Sequence, residues 1–210
     1  MAQVTYLTPE EFFGRLLVLT DLEADLQSDL LSAQSFIPLD IAALRTIDTN
    51  DIDHLAAYGG IVALDSAPTL KRVATSTDKC LRVTWAAGSS IEVQFPPVPW
   101  PPDLDPEENV IVHLLIARNG TTDGCIIDVQ AFETTVTGSA YVADTEMGGN
   151  TSALTAAANV IVEATVTLAA ADIVGHPGVL NLSLVPAAHI TNILYLSGAG
   201  IEYTRSLRSS

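Results

Sequence analysis

Apolar residues recur at helical spacing through the first part of the chain. Phe12, Leu16, Leu19, Leu22, Leu26 and Leu30 fall three or four positions apart, while Asp21, Glu23, Asp25 and Asp29 lie largely on the other side. Steps of that size put side chains on one stripe of a helix. A start signal precedes them: Thr8 as N-cap, Pro9 at the first helical position, and Glu11 closing a capping box. The pattern predicts a helix that ends by Ser35, ahead of Pro38, and a second, shorter helical piece over residues 39–47. A leucine stripe this narrow suits packing on the helix's own domain, on copies of itself, or on a larger assembly.

Beyond Tyr58 the period changes. Residues 61–64, 81–85, 91–95, 110–116, 126–132, 159–168, 179–185 and 193–203 are short runs rich in β-branched and aromatic side chains. Several alternate: Ile91, Val93 and Phe95 face one way, Glu92 and Gln94 the other. Turn chemistry separates them, including Asn119-Gly120, Asp123-Gly124, Gly148-Gly149-Asn150 and His176-Pro177-Gly178. About eight strands with no helical period between them predict a mainly β fold, an antiparallel β-sandwich or jelly roll preceded by an N-terminal α-helical segment. The proline-rich stretch 96–102 reads as a rigid extended crossing over the end of the sandwich. Residues 151–158 are alanine-rich and read as a short helix or a loop.

Charge narrows the partners. Of 210 residues 25 are acidic and 9 basic, a formal net charge of −16. Two lysines and seven arginines cannot build a basic face for nucleic acid, and an anionic membrane surface is disfavoured by sign. The apolar fraction of 48% and mean hydropathy of +0.34 suit a chain with a substantial core. The opening residues have neither a basic n-region nor an apolar h-region, so synthesis in a cytoplasm is expected. Cys80 and Cys125 stand singly in apolar runs and read as buried thiols, a bridge between them staying open.

Motifs for chemistry are sparse. GxSxG, HExxH, GxxxxGK[ST] and GxGxxG do not occur, so neither an enzyme nor a cofactor is expected. His54, His113, His176 and His189 are scattered, and His113 reads as a hydrogen-bonded core or interface residue. The run 48–53 lacks the residues a calcium loop needs, and Asp103, Asp105, Glu107 and Glu108 read as a solvated acidic rim, with no metal expected. Trp85 and Trp100 could stack on sugars, though Trp85 reads better as core. A metal-dependent cupin would need a histidine set that the chain does not offer.

The helical start, the acidic sandwich and the phrases around Leu81-Arg82-Val83-Thr84-Trp85, Pro101-Pro102-Asp103-Leu104-Asp105, residues 110–115, Gly120-Thr121-Thr122-Asp123 and Ala131-Phe132 resemble tailed-bacteriophage virion structural proteins. The style is that of jelly-roll capsid decoration, or cement, proteins. The resemblance covers roughly residues 57–204. It implies a homotrimer, made in the host cytoplasm, on the outer capsid surface of the virion, tying neighbouring major capsid proteins together. On this reading residues 1–56 anchor or oligomerise, residues 57–204 form the knob, and residues 205–210 are a frayed tail. Phe12, Phe13, Leu16, Leu17, Leu22, Leu26 and Leu30 are the expected contact residues. A carbohydrate- or receptor-binding head fibre and a tail or portal-adjacent virion protein are the alternatives.

Overall fold

The computed structural model describes residues 32–48, 51–54, 68–72, 81–137, 140–143, 146–175 and 177–206. In chain order the first strands are β1 (Ser32–Leu39), β2 (Arg45–Asp48), β3 (Asp51–His54), β4 (Thr69–Arg72), β5 (Leu81–Trp85), β6 (Val93–Gln94) and β7 (Val98–Pro99). Then follow β8 (Val110–Arg118), β9 (Ile126–Thr137), β10 (Ala140–Ala143), β11 (Gly149–Asn150), β12 (Val162–Leu168), β13 (Gly178–Ala187) and β14 (Leu194–Ser206). Among the described residues the helical elements are two single turns of 3-10 helix, Ile41–Ala43 and Ala170–Asp172.

Alternation explains the long strands. Along β8, Val110, Val112, Leu114 and Ile116 are buried, whereas Ile111, His113 and Leu115 face outward. Along β13, Leu180, Leu182 and Leu184 are buried, and Ile127, Val129 and Ala131 match them on β9. Such a row can be satisfied only by a second apolar face, and two sheets supply it.

The pairing is nested. β5 pairs β14, β6 and β7 pair β13, β8 pairs β12, and β9 pairs β10, like the two arms of one long hairpin. Additional ladders β8–β14 and β9–β13 fold that ribbon into two antiparallel sheets. The first sheet runs β12-β8-β14-β5-β4, with β1 also on β14. The second runs β10-β9-β13-β6-β2-β3, with β11 on β9 and β7 on β13. Between them lie Trp85, Trp100, Phe95, Leu114, Ile116, Ile127 and Leu194, all within 1% of full burial. Each contributes about 1.5–3 kcal/mol by leaving water. The expected antiparallel β-sandwich is therefore present.

Several expectations need correction. Residues 39–47 are not helical: they end β1, make one 3-10 turn capped by Asp40, whose Oδ1 accepts the Ala42 N–H at 2.9 Å, and enter β2. β1 and β2 belong to the two sheets of the sandwich through β14 and β6, so strands begin well before residue 57. The helix predicted to end by Ser35 is strand from Ser32 onward, where β1 begins; residues 8–31 lie outside the described residues, as does the predicted strand at 61–64. Arg205 and Ser206 are not a frayed tail but the end of β14: Ser206 N–H donates to Asp103 O at 2.7 Å.

The prolines run alongside β13 and do not cross the end of the sandwich. Phe95 N–H donates to Leu182 O and Trp100 N–H to Gly178 O, both at 2.9 Å, and Val98 lies opposite Leu180. Pro96, Pro97 and Pro99 have no N–H to offer, which interrupts what would be one strand into β6 and β7. The crossing to the first sheet comes after Trp100.

Candidate functional site

The outer face of the first sheet gathers residues that are far apart in sequence. Register places His113 between Thr165 of β12 and Gly200 of β14, and Leu115 opposite Gly198. Phe36 of β1 lies opposite Glu202, and Pro38 opposite Gly200. Gly198 and Gly200 therefore form a side-chain-free lane down the centre of the face. The neighbours lean into it. A Cβ on Gly200 would sit 1.9 Å from the Phe36 ring, and one on Gly198 would sit 3.2 Å from Leu115 Cδ1.

The side chains that cover the lane are apolar and partly exposed. Phe36 is 55% exposed and Leu115 42%, and Ile161, just before β12, is also exposed. Charge borders it. His113 Nδ1 lies 2.8 Å from Glu163 Oε1, and its Nε2 lies 3.0 Å from Glu202 Oε2. The Phe36 and His113 rings meet edge to face, with centroids 5.9 Å apart. His113 is thus bonded as expected but faces outward, not into the core. The two carboxylates meet different ring nitrogens, so the three side chains do not converge on one point. Among the described residues no group of three His, Cys, Asp or Glu is arranged to hold a metal ion.

One end of the sandwich carries a second polar cluster. Asp123 Oδ2 accepts the N–H groups of Thr191 at 2.5 Å and Asn192 at 2.8 Å, and the Thr191 hydroxyl at 2.9 Å. The Thr191 N–H, more than any other group, holds the Asp123 carboxyl below its ordinary pKa of 3.8. Buried His189 reaches Ser89 O with Nε2 at 2.6 Å and Asn192 O with Nδ1 at 3.1 Å. Arg118, also buried, donates to the Asp123 carbonyl and, at 3.0 Å, to that of Ala156. These groups grip loop backbone. They tie the turns between β5 and β6, β8 and β9, and β13 and β14 into one cap.

Other candidates resolve individually. Asp103 is engaged by Arg205, whose Nε donates to Oδ2 at 2.6 Å. Residues 48 and 51 face each other across the β2–β3 hairpin. Trp85 and Trp100 are both buried, so neither is available to stack on a ligand; Trp85 Nε1 donates to Ile91 O at 3.0 Å. Cys125 is a free, buried thiol. Phe12, Phe13, Leu16, Leu17, Leu22, Leu26 and Leu30 lie outside the described residues, as do Cys80 and His176. The lane of Phe36, Leu115, Gly198 and Gly200 was not foreseen. Glycine at alternate positions, Gly198 and Gly200, inside an otherwise apolar strand was the available signal, because glycine in a strand marks a close approach by a neighbour.

No family model matches the chain, and no curated protein matches it. Among solved structures it is similar to the Clostridium thermocellum endo-1,4-beta-D-xylanase 10B, in its CBM22-1–GH10 form complexed with xylohexaose. The identity is 9%, the TM-score 0.40, and the match covers 85% of this chain. This chain spans only 29% of that protein's chain. At that level the likeness carries no argument about what this protein does.

Proposed function

We propose that the protein is a non-catalytic virion component that works by adhesion, decorating the outside of a tailed-phage capsid as a homotrimer and bridging its major capsid proteins. The observation that carries this reading is the partly exposed apolar lane on the first sheet. Covering the exposed halves of Phe36 and Leu115 would contribute about 1 kcal/mol each. Several copies joined together multiply such modest contacts into firm attachment. The nested strand order supports the reading as well. From β5 to β14 outer strands pair with outer and inner with inner, an order compatible with the jelly rolls of many capsid proteins. Exposed carboxylates such as Glu107 and Glu108 keep the free surface soluble within a chain of net charge −16.

Contact through Phe12, Phe13, Leu16, Leu17, Leu22, Leu26 and Leu30 belongs to the same proposal. Because β1 and β2 belong to the sandwich, the part to remove in a test is residues 1–31. The experiment is co-sedimentation of the full chain with expanded empty capsids of its own phage, followed by heating. Wild type is expected to saturate at a fixed copy number and to raise the temperature at which capsids open. Deleting residues 1–31, or combining Phe36→Ser with Leu115→Ser, should weaken attachment. A folded wild-type protein that leaves capsids bare and unprotected overturns the proposal, and light scattering of the free protein tests the trimer.

A further inference from the structure

β12 is paired with β8 on one side only; among the described residues no strand occupies its other edge. In an antiparallel ladder every second residue directs its N–H and C=O away from its partner, so the free edge of β12 presents a row of unpaired donors and acceptors. A wall stands beside that row. The segment 152–156 is irregular, but it is fastened at several points. Thr151 N–H donates to Ile127 O at 2.9 Å, Leu154 N–H to Gly124 O at 2.6 Å, and Arg118 Nη2 to Ala156 O at 3.0 Å.

Between wall and edge runs a groove of about 330 Å³, lined by Ser152, Thr155 and Ala156 on one side and Val162, Glu163 and Thr165 on the other. That volume is at the small end for a ligand site, roughly 300–1,000 Å³. Four strand residues, Val162 to Thr165, border it, a length of about 13 Å at the usual rise.

We propose that this groove binds an extended peptide segment that adds to the first sheet as a further strand beside β12. The occupant is a single unflanked segment and not the edge of another folded sheet, because the wall at 152–156 would collide with anything broader. Its side chains nearest the wall are small. The one facing Glu163 is basic, since this carboxylate is 58% exposed at the groove and the chain as a whole is strongly negative. Backbone hydrogen bonds supply attachment and the side-chain positions supply selection. The inference does not depend on the capsid reading, because the edge and its wall are the same whatever surface the protein decorates.

The test uses the full chain and a fluorescein-labelled synthetic peptide of alternating valine and lysine, with the same peptide N-methylated at every second amide as control. Fluorescence anisotropy should show saturable binding of the first and at least about tenfold weaker binding of the second. Amide exchange should be fast at the outward amides of β12 in the free protein and slow with peptide bound. Thr155→Trp, or Ser152→Trp should the first variant not fold, fills the groove and should abolish binding with the thermal midpoint unchanged. Glu163→Lys should reverse the preference toward a valine–glutamate peptide. Equal binding of the N-methylated peptide, equal binding by the tryptophan variants, no binding by wild type, or slow exchange at the outward amides of β12 in the free protein would each overturn the proposal.

Discussion

The Phe36 ring occupies the space above Gly200 that any other residue's Cβ would fill. Gly200 sits in the middle of β14, where a glycine would ordinarily weaken the strand. Its value is the room it leaves for an aromatic ring from β1. Gly200→Ala is expected to destabilise the protein by about 1–3 kcal/mol through overpacking. In a Phe36→Ala background the same change should cost less than about 0.5 kcal/mol, since the clash is gone. Urea unfolding of the four proteins in this cycle measures the coupling, and additive effects would separate the two residues.

Glu133 makes a similar point inside the sandwich. Fully buried on β9, its Oε2 accepts the Val174 N–H at 2.7 Å and its Oε1 the Gly175 N–H at 2.9 Å. The carboxylate holds down the segment that leads into β13. Glu133→Ala removes both acceptors and should cost about 2–4 kcal/mol, the usual penalty for stranding two donors. Glu133→Gln keeps one acceptor oxygen and should cost less. Amide exchange at Val174 and Gly175, read alongside unfolding midpoints, checks whether the loss is local.

Asp123 makes part of the stability depend on acid. Its folded-state pKa is below 3.8, chiefly because the Thr191 N–H bonds to the charged form. The unfolded chain therefore takes up this proton first as pH falls. The contribution is complete above the ordinary aspartate range and fades as pH drops below 3.8 through the folded-state value. Asp123→Asn should be less stable than wild type at neutral pH and should converge with it in acid. Unfolding midpoints between neutral pH and strong acid measure the gap; a constant gap would refute the assignment.

Burial pushes the Cys125 thiol above its ordinary pKa of 9.0. A thiol kept protonated and out of water reacts slowly. In a Cys80→Ser background, a disulfide reagent should label the native protein at the rate of structural opening and label the urea-unfolded protein at once. The linkage sign is opposite to that of Asp123. The contribution of this group is complete below the unfolded thiol's pKa and is lost as pH rises into the alkaline range through the folded-state value. Fast labelling of the native chain at neutral pH would contradict the burial.

Strands whose faces differ in polarity were legible in the amino-acid sequence. Residues 126–132 and 179–185 alternate in the chain and become β9 and β13, and the apolar runs at 110–116 and 193–203 become β8 and β14, all with longer ends. Residues 32–48 misled for a physical reason. Leu44 and Ile47 stand three positions apart, as on a helix, and Pro38 reads as a helix stop. A proline is equally at home in an edge strand, and among the described residues β1 has its partner in β14 alone. The apolar lane was illegible because it is a product of register. Phe36, His113, Glu163 and Gly200 come from four strands, and a shift of one residue in any pairing would turn its side chains to the other face.

The pairing of β1 with β14 puts Ser32 opposite Ser206. These two residues therefore share one corner of the first sheet, about 5 Å apart. Labels at positions 32 and 206 would ride on the same pole, leaving the far pole unencumbered for display. The two positions are also near enough for a short crosslink to fasten both ends of the β1–β14 ladder together.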